Sequence, residues 1–128
     1  MGKTIVVGET VEGLPISEAV EAGGFVFFSG LVAANSEGQI IPGGIGAETD
    51  HILLQVQATL ERIGARLSDV VKVNAVLTDA RDFDGFNASY RKHFHAEPPA
   101  RITIGAQLFI EARVELDVIA YVGDRQRT

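Results

Sequence analysis

Two stretches hold the residues best suited to chemistry. In Pro98-Pro99-Ala100-Arg101-Ile102-Thr103-Ile104-Gly105, one arginine follows a rigid Pro-Pro turn and opens a β-like run. In Arg113-Val114-Glu115-Leu116-Asp117-Val118-Ile119-Ala120, Val114, Leu116, Val118 and Ala120 alternate with Arg113, Glu115, Asp117 and Ile119. A strand period of two puts these sets on opposite faces. An arginine fixed at a strand edge can grip a carboxylate with two parallel hydrogen bonds. A glutamate on a nearby strand can hold a water or take a proton. Together they suggest chemistry on a small carboxylated molecule.

Each candidate also has a plainer reading. Arg101 could form a surface ion pair with one of 17 acidic residues, worth about 0–1 kcal/mol. Glu115 and Asp117 could be the solvated face of an edge strand, but Ile119 and Tyr121 share that face. Acids mixed with large apolar groups fit a cleft or an interface better. Asn87 falls among Phe83, Tyr90 and Phe94, where a buried amide needs partners; it either bonds a neighbouring loop or faces a ligand. Ser29-Gly30 ends an apolar strand, and glycine there permits close backbone approach to a ligand or marks a bulge. No His–Asp pair is evident for Ser29, so a hydrolase triad is not expected. His93 and His95 lack the i, i+4 spacing that helical metal ligands favour, and His51 is isolated, so no metal site is expected. Gly43-Gly44-Ile45-Gly46 lacks the Lys-Ser/Thr of a phosphate loop and reads as a flexible connection.

The elements that must position these residues follow from periodicity. Residues 3–7 form a first short strand, 8–17 a loop and 18–21 a second strand before the Gly23-Gly24 turn. Phe25 to Val32 is aromatic and β-branched, hence a strand. It is apolar on both faces, with Phe25, Phe27 and Leu31 on one and Val26, Phe28 and Val32 on the other. Such a strand needs two covers. Leu53, Val56, Leu60 and Ile63 mark a helix over 47–64, ended by Gly64. Val70 to Thr78 is a strand with Val71, Val73, Ala75 and Leu77 on one face. Asp79 caps a helix over 80–95 whose stripe is Phe83, Phe86 or Asn87, Tyr90 and Phe94. The order β-β-β-α-β-α-β-β predicts an α+β domain: a mixed sheet of about six strands with both helices on one face. The other face would be buried against further copies of the chain.

The bulk numbers agree with one domain over 1–128: 46% hydrophobic and 22% charged residues describe a globular chain. Cysteine is absent, which excludes disulfides, thiolate nucleophiles and cysteine-based zinc sites. No signal peptide or long apolar run is present, so the expectation is a soluble cytoplasmic protein without membrane partners. The net charge of −6 and the scattered basic residues, concentrated only at Arg125-Gln126-Arg127, argue against nucleic acid.

The chain resembles the Rid family of reactive intermediate deaminases, also called the YjgF family. The resemblance spans about residues 3–122. It rests on Phe28-Ser29-Gly30, Glu61-Arg62-Ile63-Gly64, Asp69-Val70-Val71-Lys72-Val73, Asp82-Phe83 with Phe86-Asn87-Ala88-Ser89-Tyr90, Pro99-Ala100-Arg101, and Val114 to Ala120. It implies a chorismate-mutase-like fold and a homotrimer whose sheets form a central barrel, with ligand sites between subunits. It implies cofactor-free hydrolysis of enamines and imines, such as 2-aminoacrylate, 2-iminopropanoate and 2-iminobutanoate, to 2-oxo acids and ammonia. By position, Arg101 would grip the substrate carboxylate and Glu115 would activate water. The Thr103 backbone would bind carboxylate and water, and Asn87, Ser29 and Gly30 would line the pocket.

Several positions depart from the family pattern. Ile16 stands where a tyrosine is usual, Leu31 where a glutamine is, and Thr103 where a cysteine is. The loop 106–112 lacks the usual Leu-Pro and is one residue shorter. The pocket would be more apolar, which favours a pathway-specific enamine as an alternative substrate. The rival readings are a non-catalytic binder of small carboxylates, an RNA-cleaving activity that the acidic charge opposes, and a chaperone that would need exposed apolar surface.

Overall fold

The computed structural model describes residues 2–8 and 13–123; the basic Arg125–Arg127 tail and positions 9–12 of the first loop lie outside them. Six strands and two helices follow in order. They are β1 (Thr4–Val7), β2 (Ala19–Ala22), β3 (Phe25–Phe28), α1 (Gly44–Glu61), β4 (Val70–Leu77), α2 (Phe83–His93), β5 (Ala100–Gly105) and β6 (Val114–Tyr121). The sheet runs β1-β2-β3-β6-β4-β5. Among the described residues only β4 and β5 pair in parallel, because a parallel pair needs a long crossover and α2 supplies it. The chain is α+β with a mixed six-stranded sheet, as its periodicity predicts.

The core lies between the helices and one sheet face. Val26 and Phe28 of β3, Val73, Ala75 and Leu77 of β4, and Val114, Leu116, Val118 and Ala120 of β6 are buried there. Ile52, Leu53, Val56 and Leu60 of α1 and Phe86, Tyr90 and Phe94 from α2 and its end close over them. Each large aliphatic side chain so buried stabilises the fold by about 1.5–3 kcal/mol. Glu18 is buried too, and its carboxylate accepts from Gln55 Nε2 at 3.1 Å and Thr59 Oγ1 at 2.9 Å, tying the start of β2 to α1.

Four local expectations are corrected. The strand from Phe25 stops at Phe28, and after Ser29-Gly30 the chain rejoins the sheet as a single bridge, Leu31 to Leu116. That break resets the alternation, so Leu31 is buried in the core and does not share the face of Phe25 and Phe27. In β4 a register irregularity between Val70 and Lys72 turns Val70 inward and leaves Val71 43% exposed. The second helix opens as a 3-10 turn over Ala80–Asp82, so Phe83 starts α2 at the surface and the apolar stripe begins at Phe86. The Gly43–Gly46 run is no loop. Gly43, at φ 119, caps α1 and the helix starts at Gly44. The C-terminal end follows expectation, with Gly64 at φ 76.

The other sheet face is uncovered in the chain. Phe25, Phe27, Val71, Ile102, Ile104 and Tyr121 are all exposed, with Lys72, Asn74, Val76, Glu115, Asp117 and Ile119 among them only partly so.

Candidate active site

Arg101 sits on β5, the strand at the sheet edge, opposite Val73 of β4. Residues opposite each other share a face, so Arg101 lies on the helix-covered side with Val73, and Thr103 follows it opposite Ala75. The Arg101 guanidinium lies 5.0 Å from the Phe86 ring centroid and 4.7 Å from that of Tyr90. Phe86 and Tyr90 stand one turn apart on α2, on the stripe that faces the sheet. Among the described residues Arg101 has no ion pair, whereas Arg81 pairs with Asp79 and Arg113 with Asp82. The Tyr90 hydroxyl is buried and without a hydrogen-bond partner among the described residues. Burial pushes its pKa up to about 12, and the charge and close approach of the Arg101 guanidinium oppose this only in part.

Glu115 sits on β6 opposite Val76 of β4, and Val76 is on the uncovered side. Its carboxylate packs against Gly30. A Cβ built on Gly30 would lie 2.9 Å from Glu115 Cδ and closer still to the carboxylate oxygen, so glycine is required for this contact. The reciprocal hydrogen bonds of Leu31 and Leu116, 2.7 and 3.0 Å, hold the two segments in register. Burial, and then the Asp117 charge, raise the Glu115 pKa above its ordinary 4.5. Asp117 itself accepts a hydrogen bond from Asn74 Nδ2 at 2.7 Å. No basic side chain pairs with Glu115 among the described residues.

The remaining candidates divide between the two sides. Ser29 Oγ donates to the Ser17 carbonyl at 2.6 Å, anchoring the segment that carries the exposed Ile16. Ser29 and Gly30 thus belong with Glu115. Leu31 contributes backbone there, but its side chain is in the core. Thr103 belongs with Arg101. Asn87, half-buried on α2, follows Phe86, which takes the buried stripe position in its place. Arg101 and Glu115 therefore occupy opposite faces of one sheet, and a single chain does not bring them into one pocket. A cavity of about 400 Å³ lies within the loop 107–112 beside Thr78, and neither Arg101 nor Glu115 lines it. The helical stripe of the sequence holds Tyr90 and either Phe86 or Asn87, but nothing in it connects them to Arg101. Their i, i+4 spacing was visible, but the crossover that sets β5 beside α2 was not.

Among the described residues no group of His, Cys, Asp or Glu is arranged for a metal ion, and no helix is long and apolar enough to cross a membrane.

Comparison with known proteins supplies the remaining findings. The sequence pattern of the family described as Endoribonuclease L-PSP matches residues 13–122. A RutC family protein of Pyrococcus abyssi is 36% identical over 109 residues, 84% of this chain and 86% of its own. A protein of Dermatophagoides farinae named 2-iminobutanoate/2-iminopropanoate deaminase is 36% identical over 110 residues, 84% of this chain and 86% of its own. The crystal structure of yeast Mmf1 superposes with a TM-score of 0.84 at 30% identity, covering 94% of this chain and 98% of that one.

Proposed function

The chain belongs to the Rid family, also called YjgF/RutC, and on that premise we propose that it hydrolyses small 2-imino and 2-enamino acids to 2-oxo acids and ammonia. The observation that carries this reading is a pair of unspent charges. Among the described residues Arg101 lacks a carboxylate and Glu115 lacks a cation, whereas Arg81 and Arg113 are paired with aspartates and Asp117 accepts from Asn74. Relatives named as 2-iminobutanoate/2-iminopropanoate deaminases support the reaction class.

In this reading Arg101 binds the substrate carboxylate and Glu115 serves the water. The enamine first takes a proton on carbon and becomes the imine. The protonated imine is electrophilic, so orientation and one base suffice. Water oxygen bonds to the imine carbon as the C=N π pair moves to nitrogen. Glu115 takes a proton from the water and passes it to the amine. The carbinolamine then collapses: the C–N pair leaves with the ammonia, Glu115 takes the hydroxyl proton as the carbonyl forms, and that proton passes to the departing ammonia as ammonium. The raised Glu115 pKa suits both halves of that transfer. The backbone at Thr103 and the side chains of Asn87 and Ser29 complete the pocket, with Gly30 giving Glu115 its room. No cofactor enters.

Because Arg101 and Glu115 lie on opposite faces, we place the pocket between copies of the chain, Arg101 from one protomer and Glu115 from the next, in a homotrimer. The apolar uncovered face and the unpaired outer edge of β5 support that assembly. The family's description as an endoribonuclease finds no support in a chain of net charge −6.

The test is a trapping assay. An amino-acid oxidase generates 2-iminobutanoate in the presence of semicarbazide, and semicarbazone formation is followed. Wild type should suppress the trapped product, whereas Glu115→Ala should not. No suppression by wild type across several side chains would leave a carboxylate-binding protein without turnover.

A further inference from the structure

A carboxylate clamp needs a cation that is held in place while its hydrogen-bond donors stay free. An arginine held by an acid spends those donors on it. Arg81 and Arg113 are held in that way here, at 2.7 Å and 3.0 Å from their aspartates. Arg101 is held differently. Its guanidinium lies over two ring faces, 5.0 Å from Phe86 and 4.7 Å from Tyr90. The electron-rich face of an aromatic ring attracts a guanidinium without occupying its N–H groups. The rings are themselves fixed. Phe86 is fully buried and Tyr90 is 7% exposed. Tyr90 packs on Phe86 at 5.4 Å and on Phe94 at 4.8 Å, so it is wedged from both sides.

We propose that Phe86 and Tyr90 are the positioning residues of the Arg101 carboxylate clamp, acting through their ring faces. This rests on the proposed role of Arg101 and adds what aims it. Tyr90 remains a neutral phenol over any working pH, since burial holds its pKa at about 12, so it never neutralises the cation it supports. Its hydroxyl makes no hydrogen bond of good geometry among the described residues, although it lies close enough to Arg101 to feel it. The ring does the positioning.

The test uses 2-oxobutanoate as a stable carboxylate probe, titrated calorimetrically into the intact assembly so that no turnover is required. Arg101→Ala should weaken binding about 100-fold. Tyr90→Leu and Arg101→Lys should each weaken it about 10-fold, the first by removing the platform and the second by removing the planar fork. Tyr90→Phe should bind within about twofold of wild type. In the Arg101→Ala background, Tyr90→Leu should cost nothing further, because a residue that acts through another shows full coupling to it. Should Tyr90→Leu melt early, Tyr90→Met replaces it. Equal losses from Tyr90→Leu with and without Arg101 would overturn the proposal, as would a loss in Tyr90→Phe equal to that in Tyr90→Leu. If Arg101→Ala binds like wild type, the clamp itself fails. If binding follows this pattern but imines are not hydrolysed, only the deaminase reading fails.

Discussion

The two faces of the sheet carry similar numbers of large apolar side chains but treat them differently. On the helix-covered face, Val73, Val114, Leu116 and Val118 are wholly buried. On the other, Phe27 is 44% exposed, and Ile102 and Ile104 are 52% and 49% exposed. The first face is finished within the chain. The second has the composition of a core without its cover. The proposed chemistry follows the same division. Arg101 rests on finished structure, the ring faces of α2. Glu115 stands on the unfinished face, where a partial cover and the neighbouring Asp117 already raise its pKa. A second copy would complete that face and the site together.

The strongest test of this contrast is Glu115→Gln. It keeps the shape of the side chain and removes the base, so turnover should fall by about 10²–10⁴ while melting temperature and assembly size are unchanged. In wild type, kcat/KM should fall as pH drops through the raised Glu115 pKa, with the limb above the ordinary 4.5. The variant's residual activity should lack that limb. A wild-type limb at or below the ordinary value would mean that the uncovered face leaves Glu115 in water.

Next in size is a matched pair of core deletions, one on each face. Leu116→Ala, on the finished face, should destabilise by about 2–5 kcal/mol at any protein concentration. Ile102→Ala, on the unfinished face, should depend on concentration. Its cost should be small where the chain is dissociated and should approach that of a buried isoleucine where it is assembled. Denaturant titration at two concentrations well apart separates these outcomes. A concentration-independent result for Ile102→Ala would argue that nothing covers this face.

A smaller effect probes the contact between Gly30 and Glu115. Gly30 has no positive φ to defend, so Gly30→Ala meets only the flexible end of Glu115. The carboxylate should swing aside, lowering kcat by up to about 10²-fold, the scale of a misplaced catalytic group, with less than about 1 kcal/mol lost from stability.

Much of this architecture was legible from periodicity. The alternation in 113–121 marks which side of β6 is buried, and the same count of two, applied across the β4 and β5 pairing, puts Arg101 on that buried side and away from Glu115. The pairing itself was not legible, because β4 and β5 are joined by α2 and nothing in either strand names its neighbour. The contact of Arg101 with Phe86 and Tyr90 was hidden for that reason. The local misses share a different cause. Leu31 and Val71 follow a strict alternation on paper, but a glycine break and a register irregularity each shift the phase by one residue. Phe83 fits a helical stripe on paper but lies at the first residue of α2, before the helix turns toward the sheet.

The smallest prediction concerns the outer side of the finished face, where Asp50 of α1 accepts from His93 Nε2 at 2.8 Å and Lys92 Nζ at 3.0 Å at the end of α2. Burial tends to raise the Asp50 pKa, but the hydrogen bonds from His93 and Lys92 outweigh it and leave the value below 3.8. A carboxylate with a lowered folded pKa stabilises the fold above its unfolded pKa and loses that contribution as pH falls through the folded one. Asp50→Asn should therefore cost about 1 kcal/mol or less near neutrality and nothing well below pH 3.8. Denaturation at the two pH values measures the difference. The clasp is small because the apolar stripe of α2 already fixes the helix. Its loss should leave 2-oxobutanoate binding within about twofold of wild type, since the rings under Arg101 are held by Phe94 and the core rather than by surface charge. A large drop in binding from Asp50→Asn would show that the platform depends on the helix end and that the finished face is less rigid than its burial implies.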